Sequence, residues 1–298
     1  MKREALTPYF LEALASGQCT LFSEEEARAA LPPRPFNAHK GDNGRGLLLA
    51  GSFRYPGAAL LAGQSALGGG CGVLEVISTE SARLYYTRLP EAVFSSVGDG
   101  WTPYSISEIA PRLKGKTAFA AGCGWGEEER DHTFSPILIS LLSSNLPGVL
   151  DADALNHLSR HKELYSLLHE KIVLTPHPGE MARLTGLDIW EIAQDPIGVA
   201  RQFSEEHRCT VLLKGTVTVI AGGGACYITA EGNSGLAKGG SGDTLTGLVL
   251  AMLCQKKTPA EAACLGSYLL GAGAQKAFAL LKERMLRASH VAEAMQML

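Results

Sequence analysis

A chain of 298 residues that is 46% apolar and 19% charged is long and hydrophobic enough for one large core, which excludes general disorder. Its 27 Lys and Arg stand against 30 Asp and Glu with no basic block, which argues against a duplex nucleic-acid binder. No apolar run reaches the ~18 residues of a membrane span, and no apolar stretch follows Met1-Lys2-Arg3 as in a secretory signal.

Residues 1–38 read as an appendage to a single catalytic domain that takes in the whole of 1–298. Short helical patterns fall at Pro8–Ala15 and Ser23–Ala30, the second opened by Ser23 and Glu26 as a capping box. Pro32, Pro33 and Pro35 then break the chain. The body opens on Lys40-Gly41-Asp42-Asn43-Gly44-Arg45-Gly46, and Leu47–Ala50 follows as a strand suited to burial on both faces. Pro56–Leu67 is an Ala- and Leu-rich helix ending in Gly68-Gly69-Gly70, and Val73–Ile77 is the next strand. This beat is the unit of a parallel sheet with right-handed crossovers.

The beat continues through strands at Thr117–Ala121, Gly148–Asp151, Lys171–Leu174 and Thr210–Leu213. Helices fill Ser105–Leu113, Ser135–Ser143, Ala154–Leu158, Glu180–Leu184 and Pro196–Glu206. Val217–Ile220 and Ala225–Thr229 flank a glycine-rich turn as a hairpin. That hairpin breaks a strict barrel repeat and favours an open α/β sheet. From Asp243 the pattern is helical to Leu253, again from Ala260 to about Lys282, and over Ser289–Leu298. The seven cysteines, odd in number and irregularly spaced, read as reduced core thiols and a cytoplasmic setting. Neither they nor the eight histidines cluster at structural-zinc spacing.

Ligands of an open parallel sheet gather beyond the carboxyl ends of its strands. Glycines and charged groups recur there: Gly51-Ser52 with Tyr55, Gly122-Cys123-Gly124, Asp151-Ala152-Asp153, Thr175 through Glu180, and Lys214-Gly215-Thr216. The strongest local signal is Asn233 through Asp243. Glycines 239, 240 and 242 let successive amides face one cavity at a helix N-terminus, which suits phosphate oxygens. The run has neither P-loop order nor a GxGxxG. Asp243 is either an ordinary helix N-cap or a general base for a hydroxyl attacking phosphorus. Lys214 is either a snorkelling surface lysine or a cation facing phosphates, with Lys40 and Lys238 as further candidates. Asp151, Asp153 and Glu180 are first-turn acids or, through water, holders of Mg²⁺. His177 with Glu180 is either a helix start or a substrate-positioning pair.

Together these segments, from about Lys40 to Lys276, resemble the ADP/ATP-dependent (S)-NAD(P)H-hydrate dehydratases of the ribokinase-like superfamily. The resemblance rests on Lys40–Arg45, Ala50-Gly51-Ser52 with Tyr55–Ala58, Asp151–Leu155, Leu174–Glu180, Leu213-Lys214-Gly215 and Asn233–Asp243. It implies a three-layer α/β sandwich with a central, mostly parallel sheet and helices on both faces. It implies dehydration of the hydrated cofactors NADHX and NADPHX at the expense of ADP or ATP, with Mg²⁺. By the family pattern Asp243 is catalytic, and Lys214, Gly215, Thr216, Asn233, Gly239, Gly240, Ser241 and Gly242 bind the nucleotide. Gly57, Ala58, Gly124, His177, Glu180 and Asp243 would face the hydrated cofactor. The resemblance also implies a homo-oligomer and a separate epimerase as functional partner, residues 1–38 being too few for an epimerase domain. Cys123 stands where the family's Gly-Pro-Gly-Leu-Gly loop has proline, which loosens the loop. The alternatives are a small-molecule kinase of the same superfamily, acting on a sugar or vitamin alcohol, and a nucleotide-binding scaffold with dead chemistry.

Overall fold

The computed structural model describes residues 6–31, 35–126, 133–281 and 285–295. Pro32, Pro33, Lys282 and the 296–298 end of the last predicted helix lie outside the described residues.

In chain order the elements are α1 (Pro8–Ala15), β1 (Thr20–Leu21), α2 (Glu24–Ala30), β2 (Arg45–Leu49), α3 (Pro56–Gly68), β3 (Val73–Ser78) and β4 (Val93–Ser96). There follow α4 (Ile106–Ile109), β5 (Ala118–Ala121), α5 (Ser135–Ser143), β6 (Gly148–Leu150), α6 (Asp153–Arg160), β7 (Ile172–Leu174) and α7 (Pro178–Thr185). The chain ends with α8 (Ile189–Gln194), α9 (Pro196–His207), β8 (Thr210–Leu213), β9 (Thr218–Gly222), β10 (Ala225–Thr229), α10 (Ser241–Cys254), α11 (Pro259–Leu281) and α12 (Ala288–Met295).

One sheet runs in the order β1-β10-β9-β8-β7-β6-β5-β2-β3-β4. Every neighbouring pair is parallel except β8–β9 and β9–β10, so β9 alone runs against the rest. The hairpin between β9 and β10 turns on Gly223 and Gly224, with φ of 60° and 80°. Two successive positive φ angles match the twist of the strands they join.

Alternation along each strand sorts the apolar side chains into two cores. Leu47, Leu49, Phe119, Ala121, Leu150, Leu174 and Leu213 face the layer that holds α5, α6, α7 and α9. Leu48, Ala50, Ala118, Ala120, Val149, Val173 and Leu212 face the layer of α3, α10 and α11. Sheet and helices thus form the three layers expected, with both sheet faces covered.

Five local readings change. The helix expected over Ser105–Leu113 is short, because Pro111 lacks an amide hydrogen, and 3-10 turns replace the α pattern on both sides of α4. The sequence pattern missed β1, β4 and α8. The appendage is also more than a cover, since it supplies β1 to the sheet edge beside β10. Tyr9 Oη donates to Asp195 at 2.6 Å and Arg201 donates to the Gln18 carbonyl at 3.2 Å, tying this segment to α9.

Candidate active site

The strand order reverses between β2 and β5. The chain builds β3 and β4 on one side of β2, then crosses to build β5 through β8 on the other. A crevice opens beyond the carboxyl ends of such a pair. Here its floor is knitted by the backbone: Gly51 N–H donates to Cys123 O at 2.8 Å, and Gly122 N–H to Leu49 O at 3.3 Å. Trp101 and Trp125 donate their indole N–H groups to Gly51 O and Leu49 O, at 2.7 and 3.0 Å. Trp125 stacks on Phe134 with centroids 4.3 Å apart, so this side of the crevice is rigid and aromatic.

Gly57 and Ala58 lie in the first turn of α3, after Tyr55. Gly124, at φ 65°, packs so closely that a Cβ there would stand 2.7 Å from Ala58 Cβ and 2.9 Å from Tyr55 Cβ. The structure therefore brings three of the residues expected to face the hydrated cofactor to one wall.

Opposite stands the N-terminus of α10. Gly240, at φ 94°, is the N-cap, and Ser241, Gly242 and Asp243 form the first turn. Asp243 is thus third in the helix, and the simple N-cap reading is overturned. Its carboxyl group remains available to a ligand, although a Cys123 thiol hydrogen bond stabilises the ionised form. Burial first, and then the Asp151 charge, push its pKa up to about 6. A carboxylate with that pKa is poised near neutrality for proton abstraction.

Lys214 joins the strand ends. Its ammonium lies 2.9 Å from Asp151 Oδ1 and 3.7 Å from Glu180 Oε2. Burial pulls its pKa down, but the two carboxylates outweigh burial and hold it above the ordinary lysine value. A Cβ on Gly242 would stand 3.6 Å from the same ammonium and 3.4 Å from Asp151 Oδ2. Lys214 and the helix amides therefore border one cavity. The backbone of Lys214 also donates to Pro176 O at 2.8 Å, which draws in the His177 turn.

His177 caps α7. Its Nδ1 accepts from the amides of Gly179 and Glu180, and the His177 amide in turn donates to Glu180 Oε2 at 2.8 Å. Burial, then Lys214 and Arg183, lower the His177 pKa, so the ring is neutral at physiological pH. Burial raises the Glu180 pKa, and Lys214 offsets part of that.

Asp151 is 1% exposed and fully engaged: Lys214 Nζ and the Ala152 amide bind Oδ1, and Thr246 Oγ1 binds Oδ2. Ala152 holds φ 52°, an unusual conformation for a residue with a side chain, and it separates Asp151 from Asp153. Asp153 Oδ2 accepts from the Gly126 amide at 2.9 Å. No group of three His, Cys, Asp or Glu among the described residues is arranged to hold a metal ion. The acids expected around Mg²⁺ thus make no protein cage, and they fit only a hydrated ion carried on phosphates.

Two further candidates, Asn233 and Lys238, use their side chains within the fold. Asn233 donates to Ala274 O and accepts from the Gly235 amide. Lys238 donates to Leu286 O at 2.5 Å. Gly215 and Thr216 are exposed after β8, and Gly239 is exposed before the α10 cap. Lys40 belongs to the opposite end of the sheet, where β2 and β3 begin, and a Cβ on Gly72 would overlap its carbonyl. Asn43 O and Gly44 O there accept from the amides of Gly72 and Val73, and a Cβ on Gly44 would overlap the carbonyl of Cys254, the last residue of α10. Thr246 and the Cys123 thiol were not found from sequence. Thr246 left one signal, as the last polar side chain before an apolar run from Gly247 to Cys254.

The sheet order and the helices on both of its faces define a ribokinase-like fold. The family model for NAD(P)H-hydrate dehydratase, Carb_kinase, matches residues 46–296, and the chain belongs to that family. It is 38% identical over 256 residues to the ADP-dependent (S)-NAD(P)H-hydrate dehydratase of Bacillus subtilis, covering 85% of this chain and 88% of that one. A crystal structure of the B. subtilis ADP/ATP-dependent enzyme, co-crystallised with ATP and Mg²⁺, superposes with a TM-score of 0.79 at 34% identity, covering 93% of this chain and 96% of that one. The bifunctional NAD(P)H-hydrate repair enzyme of Moorella thermoacetica is 35% identical over 84% of this chain, which spans 48% of that longer protein.

Proposed function

We propose that this protein repairs hydrated nicotinamide cofactors, dehydrating (S)-NAD(P)H-hydrate to NAD(P)H at the expense of ADP or ATP. The observation that carries the reading is Asp243, held near neutral pKa on the open first turn of α10 with the Lys214 ammonium across the same cavity.

Hydroxide is a poor leaving group from the hydrated ring, and phosphate is a good one. Asp243 takes the proton of the ring hydroxyl as that oxygen attacks the terminal phosphorus of the nucleotide. The amides of Gly239 to Gly242 receive the oxygens over which charge spreads, and they need no rearrangement to do so. Lys214 neutralises the same charge from the strand side, held in place by Asp151 and Glu180. Asp153 and Glu180 would be the acids to hold a hydrated Mg²⁺, which would supply further neutralisation of phosphate charge. The ring nitrogen then expels phosphate with the C–O bond pair, and loss of a ring proton gives the reduced cofactor.

Gly57, Ala58, Gly124 and the His177 turn line the cofactor side in this reading, and Gly215, Thr216 and Asn233 flank the nucleotide. A separate epimerase supplying the S epimer is the functional partner. Assembly as a homo-oligomer and a cytoplasmic setting complete the proposal. No helix among the described residues is long and apolar enough to cross a membrane.

The test is incubation with hydrated NADH and either ADP or ATP, following recovery of the reduced-nicotinamide absorbance. Recovery that depends on the nucleotide supports the reading. No recovery, with phosphorylation of another alcohol, overturns it in favour of a small-molecule kinase.

A further inference from the structure

A pair of sulfurs meets at the end of the sheet opposite the catalytic crevice. α10 starts at the glycine-rich cavity and finishes at Cys254, roughly 16 Å beyond Asp243 at the usual helical rise. Cys71 lies in the turn between α3 and β3. Both side chains converge over Gly46 on β2, where a Cβ would stand 3.1 Å from Cys71 Sγ and 3.2 Å from Cys254 Sγ. The missing side chain at 46 is what leaves room for the two thiols, and they hydrogen-bond to each other.

Their surroundings are asymmetric. The Cys254 thiol, the Gly46 amide and the Lys116 charge all favour a thiolate at Cys71, whose pKa is lowered in spite of burial. The hydrogen bond to Cys71, and then burial, push Cys254 well up. Geometry separates them as well: Cys71 keeps a small exposed area and donates to Val73 O at 3.2 Å, whereas Cys254 is closed to solvent, so Cys71 is placed to meet an oxidant and Cys254 to resolve. Cys71 is 6% exposed, at the end of Gly68-Gly69-Gly70, and Gly70 stands at φ 106°. A glycine-rich helix end has little intrinsic stability, so fraying of this turn admits a small oxidant.

We infer that Cys71 and Cys254 form a two-electron redox site that a peroxide closes to a disulfide. The Cys71 thiolate attacks one peroxide oxygen, the O–O bond breaks, and the departing hydroxide takes up a proton as water. Cys71 is then a sulfenic acid. Cys254 sulfur gives up its proton and attacks the Cys71 sulfur, and the S–O bond breaks to release a second water. Two thiols and one hydrogen peroxide thus give one disulfide and two waters. Closure to an S–S bond of about 2.05 Å draws the α3–β3 turn against the C-terminus of α10. Neither cysteine belongs to the catalytic crevice.

The test treats the reduced full-length protein with hydrogen peroxide, then alkylates it with N-ethylmaleimide in denaturant. The expected intact mass carries two adducts fewer than the seven of the untreated protein, and peptide mapping finds Cys71 joined to Cys254. Retention of all seven adducts, or a linkage between other cysteines, overturns the inference. In Cys254→Ala the first step has no resolving partner, so Cys71 is expected to be captured as a sulfenic acid by dimedone. Absence of that adduct in the folded variant refutes Cys71 as the attacking thiol. Cys71→Ala is expected to give neither the linkage nor a dimedone adduct at Cys254, and an adduct there reverses the assigned roles.

Discussion

Thr246 Oγ1 donates to Asp151 Oδ2 at 2.9 Å, with both residues closed to solvent. Thr246 lies one turn past Asp243 on α10, and Asp151 directly follows β6. This bond therefore fixes the helix that bears the proposed base to the strand end that holds Lys214. A buried hydroxyl without this acceptor would be left unsatisfied, at a cost of about 1–3 kcal/mol. The bond specifies how the helix start is aimed as well as adding stability.

Asp243→Asn removes the proposed base and leaves the backbone amides in place. Turnover of the hydrate is expected to fall by ~10²–10⁴-fold. Nucleotide affinity by calorimetry is expected to stay within about threefold of wild type, because backbone groups and Lys214 supply the phosphate contacts. Wild-type turnover in this variant would end the assignment.

The pKa of about 6 at Asp243 has two consequences of opposite sign. As a base it must be ionised, so kcat/KM is expected to fall as pH drops through about 6. For stability, a folded-state pKa above the unfolded value means that the native state binds more protons between the two. Stability is therefore present at low pH and is lost as pH rises through that window. Replacing the carboxylate by Asn is expected to stabilise the protein at about pH 8 by on the order of 1–3 kcal/mol, an advantage that vanishes near pH 4. Urea unfolding at the two pH values measures it, and equal stability of both proteins at high pH contradicts a strained carboxylate.

Lys214 separates Asp151 and Glu180, whose side chains are 2% and 6% exposed. Lys214→Met leaves two buried carboxylates facing each other and is expected to cost roughly 2–4 kcal/mol, less than a fully buried pair because the lysine is partly solvated. Adding Asp151→Asn removes one stranded anion and keeps an acceptor for Thr246. The double variant is expected to be more stable than Lys214→Met alone. An additive loss in denaturant titrations contradicts the ion-pair account.

Lys40→Ala is expected to leave kcat and KM within about twofold of wild type, since Lys40 lies where β2 and β3 begin, at the end of the sheet away from the crevice. Gly44→Ala places a methyl group against the Cys254 carbonyl at φ 76°, so it is expected to lower the thermal midpoint. A Lys40 variant with strongly reduced kcat and an unchanged melting curve returns this segment to the catalytic machinery.

The interior of the fold was legible because parallel strands covered on both faces read as unbroken apolar runs, as in Leu47–Ala50 and Val211–Leu213. The edges were not. β1 is two residues long and exists through its pairing with β10. β4 is partly exposed along its length, so its pattern is mixed. α8 carries Ile189 and Trp190 at 56% and 69% exposure, which spoils the apolar periodicity that marks a helix. At the site, the glycines, Asp243 and Lys214 announced themselves by residue type. What they touch did not, because the Thr246–Asp151 and Cys123–Asp243 bonds cross between elements far apart in sequence. The same limit applied to Lys40, an exposed residue in a segment whose Gly44 packs against the Cys254 carbonyl at the end of α10.

The crevice wall also carries its own optical gauge. Of the three tryptophans, Trp101 and Trp125 are shielded and bonded to the last carbonyls of the β2 end, while Trp190 stands in water on α8. Shielded indoles emit to the blue of a hydrated one. In a Trp190→Phe background the remaining fluorescence comes from the β2 end alone, so a ligand reaching the proposed cofactor wall at Gly124 is expected to change it without a label.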